Sequence, residues 1–265
     1  MIASASVAPP CEHTQTRPTL DIQGRIATIR LCNPSRSNRL SPEDLDALRQ
    51  HLDTVNASPD VLVLRFMSAG KYFCSGYDIS SLASQDAPSS LYFGETIDLV
   101  EAARPVTIAA IQGGAYGGGT DLCLACDFRI GTPQANAFMP AARLGLHFYP
   151  GGLRRYLSRL GVNAAKHLFL TAEKIQAEDM LRIGFLTELV AAEDLSARVE
   201  TFSAQLAGMA PLALRGIKQD LNRVINGTLD LEANARAVRL SEASEDLKEG
   251  ALAWKEKRAA RFRGV

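Results

Sequence analysis

The sequence lacks two features that would point to a membrane or to nucleic acid. No apolar run approaches the roughly 18 residues that a helix needs to span a bilayer. Charge of one sign is not in excess either, because 29 Lys and Arg are matched by 29 Asp and Glu in 265 residues. A net charge of zero creates no field that would attract nucleic acid or an anionic membrane. With 46% hydrophobic and 22% charged residues, we expect a folded globular protein that binds neither.

Cysteine is scarce and odd in number, with Cys11, Cys32, Cys74, Cys123 and Cys126 scattered along the chain. This pattern favours reduced thiols in a cytoplasmic protein over a disulfide framework. Cys123 and Cys126 form a C-x-x-C motif, but no second cysteine or histidine pair accompanies it. We therefore predict no metal site, and the Leu-rich surroundings indicate buried helix positions.

The chain divides into a leader, a mixed core and a helical end. Residues 1–18 lack the apolar stretch of a signal peptide and are predicted to form a disordered leader. Strands alternate with helices over residues 19–190, which predicts a core of parallel β-α units. From about Pro150 the pattern looks helical throughout, so residues 191–265 are predicted to be a helical C-terminal region. Breaks are expected near Gly161, Gly184, Pro211 and Gly227.

Apolar, β-branched runs predict the strands, and capping residues predict a helix start. Val61–Met67 and Val106–Ile111 are typical of buried parallel strands. Ser41 suits the N-cap of a helix that has Pro42 at its first position. Further strands are predicted over Thr19–Gln23, Arg25–Cys32 and Phe128–Ile130, and a second helix around Leu91–Ala103.

Two glycine-containing junctions directly follow the buried strands, Lys71–Ile79 after the first and Gly113–Asp121 after the second. Glycine lets a ligand approach the backbone, and the N-terminus of a following helix presents N–H donors. Two such junctions on successive strands could aim one N–H each at a single oxygen atom, forming an oxyanion hole. The alternative is that the glycines only permit tight turns. A nucleotide-binding loop is not indicated, because the second junction lacks the G-x-G-x-x-G spacing and a following Lys-Ser/Thr.

The two junctions resemble the signature loops of the crotonase (enoyl-CoA hydratase/isomerase) superfamily. The resemblance rests on Phe73-x-Ser75-Gly76-x-Asp78-Ile79 and Gly117-Gly118-Gly119-x-Asp121-Leu122, and order and spacing match over roughly residues 19–262. It implies an acyl-coenzyme A thioester enzyme that stabilises a thioester enolate. The resemblance continues in Asn38-Arg39-Leu40, Pro140–Leu146, Pro150-Gly151-Gly152 and the terminal segment Glu249–Phe262.

The resemblance implies an α/β crotonase (ClpP/crotonase-like) fold of repeated ββα units with a helical C-terminal trimerisation region. The chain would then form a homotrimer or hexamer, act on an acyl-CoA, and need no cofactor beyond the coenzyme A moiety. The backbone N–H groups of Tyr77 and Gly118 would bind the thioester carbonyl oxygen. Lysine suits phosphate as a compact point charge, although a plain surface lysine is the alternative. The implied coenzyme A-binding positions are Asn38, Arg39, Leu40, Lys71, Asp78, Ile79 and Lys257.

The sequence departs from the hydratase pattern at the two positions where such enzymes carry glutamates. Asp121 stands at the first position and Ala141 at the second. Alanine cannot transfer a proton, and such acid–base catalysis is typically worth ~10²–10⁴-fold, so ordinary hydration should be crippled. The candidate proton-transfer residues are Asp121, His147 and Tyr149, with Tyr77 and Tyr116 as further phenols. Space filling is the alternative for each aromatic residue.

Three functional hypotheses remain open. The first is enolate chemistry on an acyl-CoA, by isomerisation or specialised hydration. The second is decarboxylation of a malonyl-type thioester, because the segment Met139–Tyr149 resembles the methylmalonyl-CoA decarboxylase branch, although Tyr77 stands where that branch carries His. The third is a non-catalytic acyl-CoA binding protein. RNA binding is disfavoured by the zero net charge.

Overall fold

The computed structural model describes residues 16–78 and 89–265. The predicted leader therefore lies outside the described residues up to residue 15, as does the predicted coenzyme A-binding residue Ile79.

A six-stranded sheet forms the centre of the described chain, in the order β1-β2-β3-β5-β7-β10. The β1 strand is antiparallel to β2, and every other neighbouring pair is parallel. This parallel pairing confirms the prediction of parallel β-α units. Strand β5 is buried along its whole length, as predicted for its apolar, β-branched run. The strands are β1 Thr19–Gln23, β2 Ile26–Leu31, β3 Val63–Ser68, β5 Val106–Ile111, β7 Phe128–Gly131 and β10 Glu188–Leu189.

A second, four-stranded sheet has the order β4-β6-β8-β9. Its strands β4 and β6 lie within the two glycine-containing segments that the sequence predicts to be plain junctions, so that prediction was incomplete. Three-residue strands are too short to show an alternating pattern. Because β4 and β6 are parallel neighbours, they hold the two junctions side by side. The strands are β4 Tyr72–Cys74, β6 Gly114–Tyr116, β8 Asn136–Phe138 and β9 Ile175–Gln176.

The helices begin and end at the expected signals. Ser41 accepts a hydrogen bond from the Asp44 backbone N–H, and the Asp44 side chain accepts one from Ser41 in return, forming a capping box. Gly161 interrupts α4 at a positive φ, and Gly227 ends α7. The helices are α1 Pro42–Ala57, α2 Ser90–Glu101, α3 Gly118–Ala125, α4 Pro150–Lys166, α5 Ala177–Arg182, α6 Leu195–Ala207, α7 Pro211–Asn226, α8 Leu231–Glu242 and α9 Glu245–Glu256.

Helix was predicted throughout the chain after Pro150, and this was wrong at two places. The short strands β9 and β10 lie within that stretch and add to the edges of the two sheets. Two-residue strands carry no period that a sequence pattern could reveal.

The core lies on both faces of the central sheet. One apolar cluster joins the sheet to α1, α2 and α3 and continues to the second sheet. A smaller cluster packs Leu195, Val199 and Leu206 of α6 against the other face. Beyond α6 burial falls sharply, and none of the residues of α8, a fully described helix, is buried.

The thiols of Cys74, Cys123 and Cys126 are free and buried, as predicted for the C-x-x-C pair. Burial raises the pKa of Cys126 to about 12. Cys32 is disulfide-bonded, so the expectation of reduced thiols does not hold there. No helix in the described part of the chain is long and apolar enough to cross a membrane. The cytoplasmic location stays a prediction.

Candidate active site

The two junctions after β4 and β6 are in backbone contact. Gly76 has a φ of +87°, and a Cβ atom there would lie 2.6 Å from the Gly118 nitrogen. A Cβ atom on Gly119 would lie 2.2 Å from the Cys74 carbonyl oxygen. No side chain fits at either place, so glycine is required for the approach and not only for the turn. The structure therefore brings together the two segments that the sequence singled out.

Both candidate oxyanion-hole residues lie where these junctions meet. Gly118 is the first residue of α3, so its N–H has no partner within the helix. Tyr77 forms a parallel bridge with Leu40. Leu40 donates to the Gly76 oxygen at 2.8 Å and accepts from Asp78 at 2.9 Å. Because these bonds flank Tyr77, the Tyr77 N–H points away from Leu40. Tyr77 and Gly118 line the same cavity.

That cavity has a volume of about 200 Å³ and walls that are mainly aromatic and aliphatic. The ring centroids of Tyr77 and Phe93 are 5.7 Å apart, those of Phe93 and Tyr149 are 6.2 Å apart, and Phe148 stacks on Tyr149 at 4.3 Å. We call this space the acyl cavity. Its other apolar side chains are Met139, Pro140, Ala141, Leu144 and Leu146.

The acyl cavity is poor in acid–base groups. Its ionisable lining residues are Arg39, Tyr77, His147 and Tyr149, and no Asp or Glu of residues 16–78 and 89–265 lines it. The His147 side chain is exposed, and its Nδ1 lies 2.9 Å from the Phe148 carbonyl oxygen. His147 and Tyr149, two of the candidate proton-transfer residues, line the same cavity, and their role stays a prediction.

Asp121 lies behind the acyl cavity and is completely buried. Arg155 donates to both carboxylate oxygens, from Nε at 2.8 Å and from Nη2 at 2.7 Å. The Tyr149 hydroxyl donates to Asp121 Oδ2 at 2.7 Å. Asp121 and Tyr149 are thus brought together, but the Asp121 carboxylate is bound from behind and does not line the cavity.

Arg155 is a site residue that the sequence did not predict. Its side chain is completely buried, and its Nη1 also donates to Asp98 at 2.5 Å and to Glu101 at 3.3 Å. Although burial opposes the charge, the hydrogen bonds to Asp121 and Asp98 raise the pKa of Arg155. No local motif marks this residue, since the pairing joins helices α2, α3 and α4, which are distant in sequence. Arg154 also pairs with Glu101.

The Asn38–Leu40 segment supports the first junction. The Asn38 side chain is buried, its Oδ1 accepts from the Asn33 N–H at 2.9 Å, and its Nδ2 donates to the Ala69 and Tyr72 carbonyls at 2.8 Å each. Its amide is therefore committed within the protein. Leu40 is buried and acts through its backbone.

Arg39 connects the acyl cavity to a polar groove of about 480 Å³. Its Nη1 lies 3.3 Å from Asp78 Oδ1. The groove is also lined by Arg17 and Arg36. Lys71 is exposed beside the Tyr72 ring. Lys257 lies just after α9, and neither lysine is among the described residues that line the cavity or the groove.

The chain belongs to the enoyl-CoA hydratase/isomerase family, because the model of that family matches residues 21–265. Its relatives are named enoyl-CoA hydratases, which are lyases or isomerases. The chain is therefore an acyl-CoA enzyme of this superfamily. It is 32% identical over 250 residues to a crotonyl-CoA hydratase of Syntrophomonas wolfei, covering 92% of this chain and 96% of the relative. A carnitinyl-CoA dehydratase of Proteus mirabilis is 29% identical over 258 residues, which is 92% of this chain and 97% of the relative.

Solved structures agree with the fold. An enoyl-CoA hydratase from Bacillus anthracis superposes with a TM-score of 0.82 at 28% identity, covering 95% of this chain and 100% of the other. An enoyl-CoA hydratase/carnitine racemase from Magnetospirillum magneticum gives a TM-score of 0.88 at 25% identity, with coverages of 95% and 97%. The predicted superfamily, α/β fold class and helical C-terminal region are therefore confirmed, and trimerisation stays a prediction.

Proposed function

We propose that the acyl cavity binds the acyl group of a coenzyme A thioester, with the carbonyl oxygen between the N–H groups of Tyr77 and Gly118. The contact between the two junctions supports this arrangement, since both residues line one cavity and Gly118 begins a helix. Two such donors are worth ~10²–10³-fold each when negative charge develops on the oxygen. The residues then stabilise an enolate without a metal or a cofactor other than the coenzyme A moiety.

The polar groove is the proposed site for the phosphates of coenzyme A. It adjoins the acyl cavity at Arg39 and carries the further guanidinium groups of Arg17 and Arg36. Its lining also includes the carboxylates of Glu43, Asp44 and Asp78. Guanidinium groups bind phosphate oxygens through paired, charge-assisted hydrogen bonds. The contribution of Lys71 and Lys257 rests on the family resemblance alone.

We propose that the enolate forms without the pair of glutamate carboxylates that hydratases of this family use. The observation that carries this proposal is the lining of the acyl cavity, where Ala141 is present and no carboxylate of the described residues is. Asp121, which stands at the first glutamate position of hydratases, is separated from the cavity by Tyr149. Ordinary two-carboxylate hydration is therefore not supported.

Decarboxylation of a malonyl-type thioester is a second candidate, and the same lining favours it. Breaking the bond to the carboxylate releases CO₂ and leaves the electron pair as the enolate, so no base is needed. The two N–H donors would stabilise the developing oxyanion. The proposed donor of the proton that returns to the α-carbon is His147, which lines the cavity.

Turnover of a thioester panel by the wild type and by Ala141→Glu tests the proposal. We expect slow hydration of crotonyl-CoA by the wild type and faster hydration by Ala141→Glu, because the new carboxylate can transfer a proton. The gain should not exceed about 100-fold, because the new carboxylate lacks positioning partners. Ala142→Glu is the matched control, since Ala142 is exposed and is not a lining residue. Malonyl- and methylmalonyl-CoA test decarboxylation in the same panel.

Wild-type hydration near a typical turnover of ~10 s⁻¹ would overturn the proposed loss of carboxylate chemistry. Tight binding of thioesters without turnover of any of them would favour the non-catalytic hypothesis instead.

A further inference from the structure

A buried charge network lies directly behind the acyl cavity and joins three helices. Arg155 of α4 binds Asp121 of α3 through two hydrogen bonds, and it binds Asp98 and Glu101 of α2 through Nη1. Arg155 and Asp121 are both completely buried. Burying charges is costly unless each one is paired, and each is paired here. The network therefore holds the Asp121 carboxylate in one place.

Tyr149 connects this network to the acyl cavity. Its hydroxyl donates to Asp121 Oδ2 at 2.7 Å, while its ring forms part of the cavity wall. Phe148 stacks on one side of the ring. Gly94 leaves the necessary space, because a Cβ atom there would lie 2.6 Å from ring carbons of Tyr149. The ring is thus held by packing and by a hydroxyl anchored behind the wall.

The surroundings of the phenol define which group is the hydrogen-bond donor in this contact. Burial and the nearby charge of Asp121 raise the pKa of Tyr149 well above its ordinary value. The hydroxyl therefore keeps its proton at neutral pH and donates a hydrogen bond to the carboxylate.

We infer that Arg155 is a positioning residue for the wall of the acyl cavity. Arg155 holds Asp121 in place, and Asp121 accepts the hydrogen bond that fixes the Tyr149 ring against the acyl group. This inference rests on the proposed function, since it takes the cavity to hold the acyl group. Asp121 then serves to orient Tyr149 and is not the proton-transfer group that its place in the sequence suggests. A ring held in this way selects acyl groups by shape, whereas a loosened ring would not.

Calorimetry with the full-length chain separates the acyl contribution from the rest of the binding energy. The ratio of the Kd of coenzyme A to the Kd of butyryl-CoA reports the acyl group alone. Arg155→Lys keeps the charge but loses the two-pronged contact with Asp121. We expect the ratio to fall about fivefold or more, because several methylene contacts with the wall are weakened. The affinity for coenzyme A itself should stay within about twofold of the wild-type value, since no acyl contact is involved.

Arg154→Lys is the matched control. Arg154 is the neighbouring residue on the same helix and pairs with Glu101, but its pairings do not include Asp121. It should leave the ratio unchanged. If Arg155→Lys does not fold, Asp121→Asn replaces it, with the same expected fall.

The route through Tyr149 is tested by adding Tyr149→Phe, which removes the hydroxyl and keeps the ring. In that background Arg155→Lys, or Asp121→Asn, should cause no further fall in the ratio. An unchanged ratio in a folded Arg155→Lys or Asp121→Asn variant, or additive effects in the double variant, would overturn the inference. Wild-type protein that binds neither coenzyme A nor butyryl-CoA would instead refute the proposed function.

Discussion

The core that carries the site buries its apolar and charged side chains, whereas the C-terminal helices α7–α9 leave large apolar side chains exposed. In the core, strand β5 is wholly buried, and Asp121 and Arg155 are paired at full burial. In the C-terminal helices, Ile217 is 62% exposed and Trp254 is 88% exposed. A single chain thus completes the core, whereas the apolar surface of α7–α9 is of the kind that associates with another protein surface. Substitutions in the two regions should therefore affect different equilibria.

The largest effect on folding should come from breaking the buried ion pair. Asp121→Ala leaves part of the charge of Arg155 uncompensated, which typically costs 3–5 kcal/mol. We expect about 3 kcal/mol, the lower end of that range, because Asp98 and Glu101 still contact Arg155. Urea unfolding measures the loss.

Asp179→Ala is the control for this prediction, because Asp179 forms an exposed ion pair with Arg182. Exposed pairs contribute about 0–1 kcal/mol. Equal losses in the two variants would mean that burial of the Asp121 pair does not govern its contribution.

The next largest effect should come from separating the two junctions. Gly76→Ala places a methyl group 2.6 Å from the Gly118 nitrogen, so the two N–H donors can no longer face one oxygen atom. We expect turnover of the best thioester in the panel to fall about 100-fold or more. Gly24→Ala is the control, because Gly24 has a similar positive φ of +57° but open space around it. Similar losses in both variants would assign the effect to backbone strain and not to the hole.

The sequence predicts the backbone of the site better than its charged side chains. Glycines after β-branched strands mark both junctions, and the requirement for glycine at Gly76 and Gly119 is visible in the close approach. These signals are local, because each strand and each turn is encoded within a few residues. Most of the fold follows from such signals, together with the family resemblance.

The role of Asp121 could not be predicted in the same way. Its position in the second junction suggests proton transfer, but its partner Arg155 lies 34 residues away on another helix. A long-range pairing of this kind leaves no periodicity or fixed spacing in the sequence from which it could be predicted. The short strands β4 and β6 were missed for a related reason, since their stability comes from pairing with each other.

The third prediction concerns the C-terminal helices, where we propose the trimer or hexamer contact. Wild-type protein should sediment as a particle larger than the 28.6 kDa chain. Ile217→Asp should shift it toward monomer, because burying an isoleucine is worth about 1.5–3 kcal/mol and an unpaired charge opposes burial. Leu181→Asp, at an exposed apolar residue of α5, should leave the assembly unchanged. A wild-type monomer at micromolar concentration would contradict the proposal.

The smallest effect should be the share of one buried core thiol in the loss of stability in mild alkali. Burial raises the pKa of Cys74 and of Cys126 from 9.0 to about 12. Between these values the unfolded chain releases thiol protons that the folded chain retains, so the stabilisation is complete below pH 9 and is lost as the pH rises toward 12. The expected slope is about 1.4 kcal/mol per pH unit for each thiol.

Urea unfolding at pH 8 and at pH 10 measures this loss, and Cys126→Ala should reduce it by the share of one thiol. The difference between the two proteins isolates Cys126, since lysines and tyrosines titrate equally in both. Helices α7–α9 contain no cysteine, so this thiol effect should act on unfolding and leave the sedimentation of the assembly unchanged. An identical pH dependence in Cys126→Ala would show that this thiol does not couple folding to alkaline pH.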